Sequence, residues 1–240
     1  MKKELRRQIK QDELLTGLDL AAHWIRQHLR EVQIALVATL ALGSAAFGVS
    51  YFREAGAREA EKAFAEALTT FHAPLEAELA AGTPRPALVF KTGAEKYRKA
   101  AGEFDGVERR YGSRAVAREA RYYGALSRIE MGEFPEAEKA LKDLAGGGGL
   151  EASLARLALA EGYRRAGKPD QALEVYRQMV DASNASLPRD HVLMRIGALL
   201  EEQQKFAEAS ASYQRLLETF PGSPYAAEAK RRSESLRTAS

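Results

Sequence analysis

An uncharged run of 21 residues, from Val32 to Phe52, constrains this chain more than any other feature of its sequence. About 20 apolar residues span the hydrocarbon core of a bilayer, and a helix satisfies its own backbone N–H and C=O groups there. The run therefore predicts a transmembrane helix. A buried core helix, which would normally show a polar face, and a cleaved signal peptide remain as alternatives. A signal peptide has an apolar core of about 7–15 residues behind a short basic leader. The 31 residues before this run favour an uncleaved anchor.

The distribution of lysine and arginine predicts which end faces the cytoplasm. Residues 1–31 hold seven basic side chains, whereas the 20 residues after the run hold three. Basic residues near a span are retained on the cytoplasmic side. We therefore expect the N-terminus inside and the large C-terminal part outside.

The composition argues against a nucleic-acid binder, although the net charge is +3. Beyond residue 31 the chain holds 29 basic and 28 acidic residues, so this part lacks the basic footprint that nucleic acids require. The chain has no cysteine, which excludes disulfides, thiolate metal sites and a cysteine nucleophile.

Two patterns near the run indicate contacts with a membrane or with another helix. Ser44 and Gly48 form a small-xxx-small pair that could let two helices approach, which makes a homo-oligomer one expectation. Small residues are also frequent in membrane helices that do not associate. In the leader, apolar residues recur at helical spacing and could lie on the membrane surface or meet a partner helix: Leu14, Leu18, Ala22, Ile25 and Leu29.

The residues after the run predict a helical stalk from Arg53 to Ala80. Pro74 should weaken or kink this helix, and the glycine and prolines of residues 82–86 should end it. One apolar stripe follows the stalk: Phe64, Leu68, Phe71, Leu75 and Leu79.

Beyond residue 91 the sequence predicts helices, and it carries a repeat of 35 to 37 residues. An apolar residue stands four positions and again seven positions after each of four alanines: Ala100, Ala137, Ala172 and Ala209. A helix–turn–helix repeat has a period of about 34 residues, and a small residue lets its two helices touch.

At these positions the sequence resembles the tetratricopeptide repeat family. Residues 132–137 and 167–172 look like its inter-helix turn, and Pro221 falls where the family ends a repeat. Residues 225–236 look like the terminal helix that covers the open end of a solenoid. The first helices of two repeats match the family's packing positions: Leu159, Ala160, Tyr163, Leu193, Ile196, Gly197 and Leu200.

The first two repeats depart from the family pattern. Arg121 and Arg128 occupy positions where bulky apolar side chains usually pack, so this repeat is expected to be irregular or shifted in register. The earliest repeat has only its second helix, near Ala100, and must take the stalk as its first helix. Four arginines on one stripe could meet an acidic partner, lipid headgroups or only solvent: Arg114, Arg118, Arg121 and Arg128.

The layout of the whole chain is similar to the YfgM-like family of single-span bacterial inner-membrane proteins that accompany the SecYEG translocon. The resemblance implies a bacterial inner membrane, with the C-terminal domain in the periplasm. The predicted fold is all-α, an N-terminal transmembrane helix followed by a tetratricopeptide-like α-solenoid. We expect four segments: residues 1–31 as a cytoplasmic segment, 32–52 as the span, 53–91 as stalk and loop, and 92–240 as the repeat domain with its capping helix.

The family resemblance also implies where a partner binds, because the first helix of each pair lines the concave face of such a solenoid. The side chains expected on that face combine one aromatic residue with flexible apolar residues and a few charges, which suits protein segments of varied sequence. An alternative is that the apolar members only pack against the next repeat. The predicted face contains Tyr122, Leu126, Ile129, Leu157, Glu161, Arg164, Arg165, Met194, Ala198 and Glu201.

The sequence carries no pattern typical of a catalytic, cofactor or metal site. Its four histidines are scattered, and the run Gly146–Gly149 lacks the Lys-Ser/Thr ending of a phosphate loop. We therefore predict a non-enzymatic, membrane-anchored interaction protein that assists translocated clients at the translocon. Alternatives are a structural partner in a cell-division or outer-membrane assembly complex, and an accessory module of an envelope enzyme.

Overall fold

A computed structural model of the protein describes residues 24, 27–80, 82, 84–182 and 186–238. Four side chains within the first helix also lie outside the described residues, those of Val32, Ala35, Leu36 and Ala46. Most of the predicted leader stripe lies outside them as well: Leu14, Leu18, Ala22 and Ile25.

The described residues form α-helices, with one short 3₁₀ turn at Glu76–Glu78 and one isolated backbone bridge between Leu75 and Phe90. The prediction of an all-α chain is confirmed. The helices are α1 (Leu29–His72), α2 (Gly93–Tyr111), α3 (Ala115–Glu130), α4 (Phe134–Ala145), α5 (Gly149–Arg165), α6 (Pro169–Asp181), α7 (Arg189–Glu202), α8 (Phe206–Thr219) and α9 (Ala226–Thr238).

The chain divides into two compact units, residues 1–58 and residues 59–240. In the first unit, the described large apolar side chains of the uncharged run are exposed, with Phe47 and Phe52 among them. Among the described residues, no helix meets the length and apolarity that crossing a membrane requires. The predicted span includes Val32 and Leu36, whose side chains lie outside the described residues. The transmembrane helix stays a prediction.

Helix α1 ends at His72, eight residues earlier than the sequence analysis predicted. Pro74 has no N–H to donate and disfavours a helical conformation at Ala73, so the helix stops instead of kinking. The chain then forms a loop that is closed by the Leu75–Phe90 bridge, where Glu76 N donates to Phe90 O at 2.9 Å. Leu75 and Leu79 therefore belong to this loop and not to the stalk helix.

The last turns of α1 act as the first helix of the earliest repeat, as predicted. Phe64 and Phe71 pack on Phe104 of α2, with ring centroids 5.8 and 6.3 Å apart. Tyr123 of α3 stacks on the same Phe104 ring at 5.6 Å. These aromatic contacts join three helices into a hydrophobic cluster with the buried Ala100. Each large aromatic side chain buries much apolar area. A few of them therefore suffice to hold the last turns of α1 against α2 and α3.

Three helix pairs follow, α3 with α4, α5 with α6 and α7 with α8, and their packing confirms the predicted register. The four alanines that mark the repeat are each 0 % exposed, so their helices touch at the smallest side chains. The apolar residues predicted at the following positions are buried as well, with Leu141, Tyr176 and Tyr213 among the least exposed side chains of the protein.

The first helices approach the second helices most closely at two glycines. A Cβ atom added to Gly197 would lie 2.6 Å from Cζ of Tyr213, and one added to Gly162 would lie 2.5 Å from Cδ2 of Phe134. Such distances are too short for carbon atoms, so each ring occupies the volume that a side chain would need. Gly197 was predicted at a packing position, and the ring of Tyr213 explains why no larger residue fits.

The inter-helix turns repeat one backbone conformation. Gly132, Gly167 and Gln204 each have a positive φ, between 58° and 78°, two residues before the next helix begins. In each turn the following N–H donates back to a carbonyl of the preceding helix, as Lys168 N does to Tyr163 O at 2.9 Å. This left-handed ending satisfies carbonyls that a helix end would otherwise leave unpaired.

The last helix packs on the last helix pair, at the place where the sequence predicted a capping helix. Ala229 and Leu236 of α9 are buried in the main hydrophobic cluster, and Ser233 shares a hydrogen bond of 3.0 Å with Ser210 of α8. Helix α8 ends at Thr219 and Pro221 follows, as the resemblance implied.

The substitution Gly197→Ala should destabilise the repeat domain by about 1–3 kcal/mol, because the new methyl group overpacks against Tyr213. Gly102→Ala is the matched control, since Gly102 is exposed on α2 and a Cβ there meets no atom within 4 Å. The control should instead gain about 0.5–1 kcal/mol from helix propensity. Urea unfolding of the full-length chain, followed by circular dichroism, measures both changes, and equal midpoints for the two variants would contradict the assigned helix contact.

Candidate protein-binding face

Ion pairs connect the first helices of successive repeats to one another, and other ion pairs connect the second helices. Arg165 of α5 pairs with Glu130 of α3 at 2.9 Å, and Arg164 of α5 pairs with Glu202 of α7 at 3.3 Å. These pairs connect first helices to one another. Second helices are connected separately, for example α6 to α8 by Arg177 and Glu208 at 3.6 Å. Each layer thus presents its own surface, and we name the surface of α3, α5 and α7 the first-helix face.

A continuous ladder of charges crosses the first-helix face at the C-terminal ends of its helices. Glu161 lies at the centre of this charge ladder, because its Oε1 accepts from Arg164 Nη2 at 2.7 Å and from Arg165 Nε at 2.9 Å. The two arginines then reach outward, to Glu130 on one side and to Glu202 on the other. The charge ladder is Glu130, Arg165, Glu161, Arg164 and Glu202.

The protonation of the ladder follows from these contacts. Burial alone would raise the pKa of Glu161, but hydrogen bonds from Arg164 and Arg165 outweigh burial and hold its pKa below the ordinary value of 4.5. The hydrogen bond to Glu161 raises the pKa of Arg164 despite its partial burial. The hydrogen bond to Glu130 does the same for Arg165. Glu161, Arg164 and Arg165 are therefore charged at neutral pH.

Glu201 was predicted on the same face, but in the structure its side chain contacts helices α8 and α9. Its carboxylate accepts a hydrogen bond of 2.6 Å from the Tyr213 hydroxyl and lies 3.4 Å from Nη1 of Arg232. Burial first, and then the bond to Glu201, raise the pKa of Tyr213. Glu201 thereby joins α7 to α8 and to the capping helix α9.

Three apolar residues predicted on the face occupy equivalent positions on consecutive first helices: Tyr122 on α3, Leu157 on α5 and Met194 on α7. Leu126 lies one turn beyond Tyr122 on α3. All four are partly buried and pack on the main hydrophobic cluster with part of each side chain still accessible. Burial raises the pKa of Tyr122, and its neighbour Tyr123 adds to the effect. We name these four residues the apolar row.

Ile129 does not belong to this surface. Its side chain is only 6 % exposed and lies inside the main hydrophobic cluster, so it packs between helices and presents little to a partner. This one position follows the alternative that apolar members pack against the neighbouring repeat. Ala198 is partly exposed on α7, four residues beyond Met194, and continues the row with a small side chain.

Sequence reasoning missed two members of the charge ladder, Glu130 and Glu202. Both carried a usable signal, because residues 130, 165 and 202 are separated by 35 and 37 residues, the spacing of the repeat itself. Each directly follows a position that had been assigned to the face. The repeat register could therefore have placed Glu130 and Glu202 on the face. The pairing of Arg164 with a carboxylate 38 residues away could be seen only in the structure.

The arginine stripe of α3 forms pairs inside the protein. Nη2 of Arg128 lies 2.7 Å from Asp105, and Nη2 of Arg121 lies 2.7 Å from Glu108, both on α2. Arg118 lies 3.4 Å from Glu151 of α5. The prediction that the stripe meets an acidic partner, lipid headgroups or only solvent stays a prediction, since the Arg118 side chain is still 65 % exposed. Their pairs keep the repeat in register although the usual apolar residues are missing.

Among the described residues, no group of three or more His, Cys, Asp or Glu side chains is placed to hold a metal ion. What the face offers chemically is an accessible apolar row beside a ladder of three carboxylates and two guanidinium groups.

Comparison with known protein families agrees with the repeated helix pairs of the structure. The family described as "Tetratricopeptide repeat-like domain" matches residues 22–231, a stretch that includes both the uncharged run and the helix pairs. No individually curated protein matches the sequence.

The substitution Glu161→Gln should lower the free energy of unfolding by about 1.5–3 kcal/mol at neutral pH, because two arginines lose their shared carboxylate. The folded-state pKa of Glu161 lies below its unfolded value of 4.5. The carboxylate's contribution is therefore complete above that value and is lost as the pH falls through the folded pKa. Urea titrations of both proteins should show a difference that is constant from about pH 7 to 5 and that shrinks below 4.5.

Glu174→Gln is the control for this titration, since Glu174 is exposed on α6 and accepts from Gln178 within its own helix. It should change the unfolding free energy by less than about 0.5 kcal/mol at every pH. If the Glu161→Gln difference were the same at about pH 3.5 as at pH 7, the ladder would not carry the stabilisation.

Proposed function

Because the chain belongs to the tetratricopeptide repeat-like domain family, we propose that it is a membrane-anchored interaction protein whose first-helix face binds segments of other proteins. The observation that carries this proposal is the apolar row, which repeats across three helices and stays accessible although it packs on the core. A row of this kind supplies several apolar anchors at once, and such anchors dominate the energy of most protein interfaces.

The membrane anchor in this proposal is the uncharged run from Val32 to Phe52. Three features support it: the run is as long as a bilayer span, basic residues are concentrated before it, and the family match includes the run together with the repeats. In this proposal the N-terminus lies in the cytoplasm of a bacterial cell. The repeat domain then lies in the periplasm, where it meets chains that emerge from the secretion translocon.

The role at the translocon rests on the similarity of layout to YfgM-like proteins, and fold alone does not choose a partner. A complex in cell division or in outer-membrane assembly would use the same face. Identification of the bound proteins therefore decides between these placements, while the proposed binding face is common to all of them.

Polar substitutions in the apolar row should reduce recovery of the bound partner without unfolding the protein. Tyr122→Ser, Leu157→Gln and Met194→Ser, each alone, should lower co-purification in mild detergent by about tenfold, the loss expected for an interface anchor. Helicity and melting temperature should stay close to those of the unchanged protein, because each side chain is only partly buried.

Gln178→Ser on α6 is the matched control, since it is an exposed residue of a second helix. Partner recovery from this variant should be unchanged. If the row variants retained their partner, and only deletion of residues 14–29 or of the uncharged run released it, the proposed binding face would be wrong.

Accessibility to a membrane-impermeant maleimide should establish the topology, because the chain has no cysteine of its own. Lys168→Cys, at an exposed turn, should be labelled in cells whose outer membrane has been permeabilised, whereas Gln8→Cys should be labelled only after the inner membrane is opened. The reverse pattern would invert the proposed orientation. A Lys168→Cys protein released in soluble form would indicate cleavage of the leader.

A further inference from the structure

We propose that the turn between α2 and α3 binds anionic phospholipid headgroups of the membrane that holds the chain. This inference rests on the proposed membrane anchor and adds a contact between the repeat domain and the bilayer surface. The turn contains Arg109, Arg110 and Arg114, and no acidic residue lies between Glu108 and Glu119. We name residues 109–114 the arginine turn.

Two side chains of the arginine turn are open to a ligand. Arg109 and Arg110 are exposed, and among the described residues neither has an ion pair within the protein. Of the acidic residues that flank the turn, Glu108 pairs with Arg121 at 2.7 Å, and Glu119 lies more than one helical turn into α3. The arginine turn is therefore a cationic patch that the protein's own carboxylates leave accessible.

Antiparallel packing places the arginine turn at the end where the chain enters the second compact unit, residues 59–240. Phe71 of α1 contacts Tyr97 of α2 with ring centroids 5.5 Å apart, and Phe64 contacts Phe104 at 5.8 Å. The N-terminal direction along α1 is therefore the C-terminal direction along α2. From Phe104, α2 advances about 10 Å to its end, whereas Phe64 lies about 8 Å from Glu59. The arginine turn thus lies level with the first residues of this unit.

The chain between the uncharged run and this end of the unit is short. Residues 53–58 connect Phe52 to Glu59, and each residue spans at most about 3.6 Å. Whatever path these residues take, Glu59 lies within about 25 Å of the end of the run. An anchored run therefore keeps the headgroups near the arginine turn at a high effective concentration. An acidic protein would first have to be recruited there, so the tether favours the lipid as occupant.

A second turn at the same end supplies an apolar side chain. Arg118 of α3 lies 3.4 Å from Glu151 of α5, which shows that these two helices begin side by side. The adjacent Leu150 is 55 % exposed, more than any other described large apolar side chain of residues 59–240. Basic side chains attract anionic headgroups, and an exposed apolar side chain enters the interface beside them. The combination fits a bilayer surface.

A fluorescent label on the arginine turn tests this inference in the full-length chain. The chain has no cysteine, so Ser113→Cys gives a single labelling site at an exposed position, which carries nitrobenzoxadiazole. The protein is reconstituted in liposomes of phosphatidylcholine, alone or with about 30 % phosphatidylglycerol. A phospholipid with a spin-labelled headgroup serves as the quencher.

The label should report docking of the arginine turn on the bilayer only when the lipid is anionic. With phosphatidylglycerol the emission should shift to shorter wavelength, and the quencher should reduce it by at least about twofold. Both effects should disappear in phosphatidylcholine alone and in about 0.5 M NaCl, because salt screens exposed charges. Lys168→Cys is the positional control, since its exposed turn lies at the opposite end of α5 from Leu150, and its emission should not depend on the lipid.

Charge variants of the Ser113→Cys protein assign the effect to the arginines. Arg109→Gln together with Arg110→Gln should lower the ratio of docked to undocked protein by at least about fivefold, whereas lysine at both positions should retain docking. The matched control is Lys230→Gln together with Arg231→Gln, two adjacent exposed basic residues of α9, which should change nothing. A melting curve of each variant verifies that it is folded.

The inference is overturned if the label at residue 113 does not respond to phosphatidylglycerol, if the label at residue 168 responds equally, or if the double glutamine variant docks like its parent. Loss of a co-purified acidic protein from that variant, without a lipid response at residue 113, would also overturn it and assign the turn to a protein partner.

The anchor itself is tested separately in the same liposomes. The full-length chain should remain with phosphatidylcholine liposomes after extraction with alkaline carbonate, because a spanning helix is not released when charges are screened or titrated. If it remains there and the label at residue 113 does not respond to phosphatidylglycerol, the proposed anchor stands while this inference fails. If carbonate releases the chain, the proposed anchor fails and this inference fails with it.

Discussion

The fold depends on the close approach of paired helices at alanine and glycine residues, whose side chains are a methyl group or a hydrogen atom. Ala137, Ala172 and Ala209 are fully buried, and the ring of Tyr213 lies where a side chain on Gly197 would stand. Because these positions recur at the period of the repeat, each helix pair takes nearly the same geometry as the one before it. Equivalent residues of successive first helices consequently share one surface, and the candidate binding face is a result of this register.

Charge performs two different tasks in the repeat domain. In α3, Arg121 and Arg128 stand where the repeat normally packs apolar residues, and each pairs with a carboxylate of α2. On the first-helix face, Arg164 and Arg165 pair across three helices. In both places the arginines connect neighbouring helices of the protein.

Most of the architecture could be predicted from the sequence, because it depends on local spacing. The four marker alanines, the glycine turns and Pro221 each act within a few residues, and all were confirmed. The end of α1 was placed too late, because the apolar stripe continues through Leu75 while Pro74 breaks the backbone ladder. Two features could not be predicted, the pairing of Arg164 with Glu202 and the burial of Ile129. Both depend on how helices that are distant in sequence pack against one another.

The central claim is that partners are bound by the first-helix face, and photocrosslinking in living cells tests it most directly. Leu157 on α5, or Gln178 on α6 as the control, is replaced by benzoylphenylalanine in the full-length chain, and the cells are irradiated. The account predicts a crosslinked partner for the replacement of Leu157 and none for that of Gln178, because Leu157 is a member of the apolar row and Gln178 is exposed on a second helix. Equal crosslinking at both positions, or crosslinking only from α6, would contradict it.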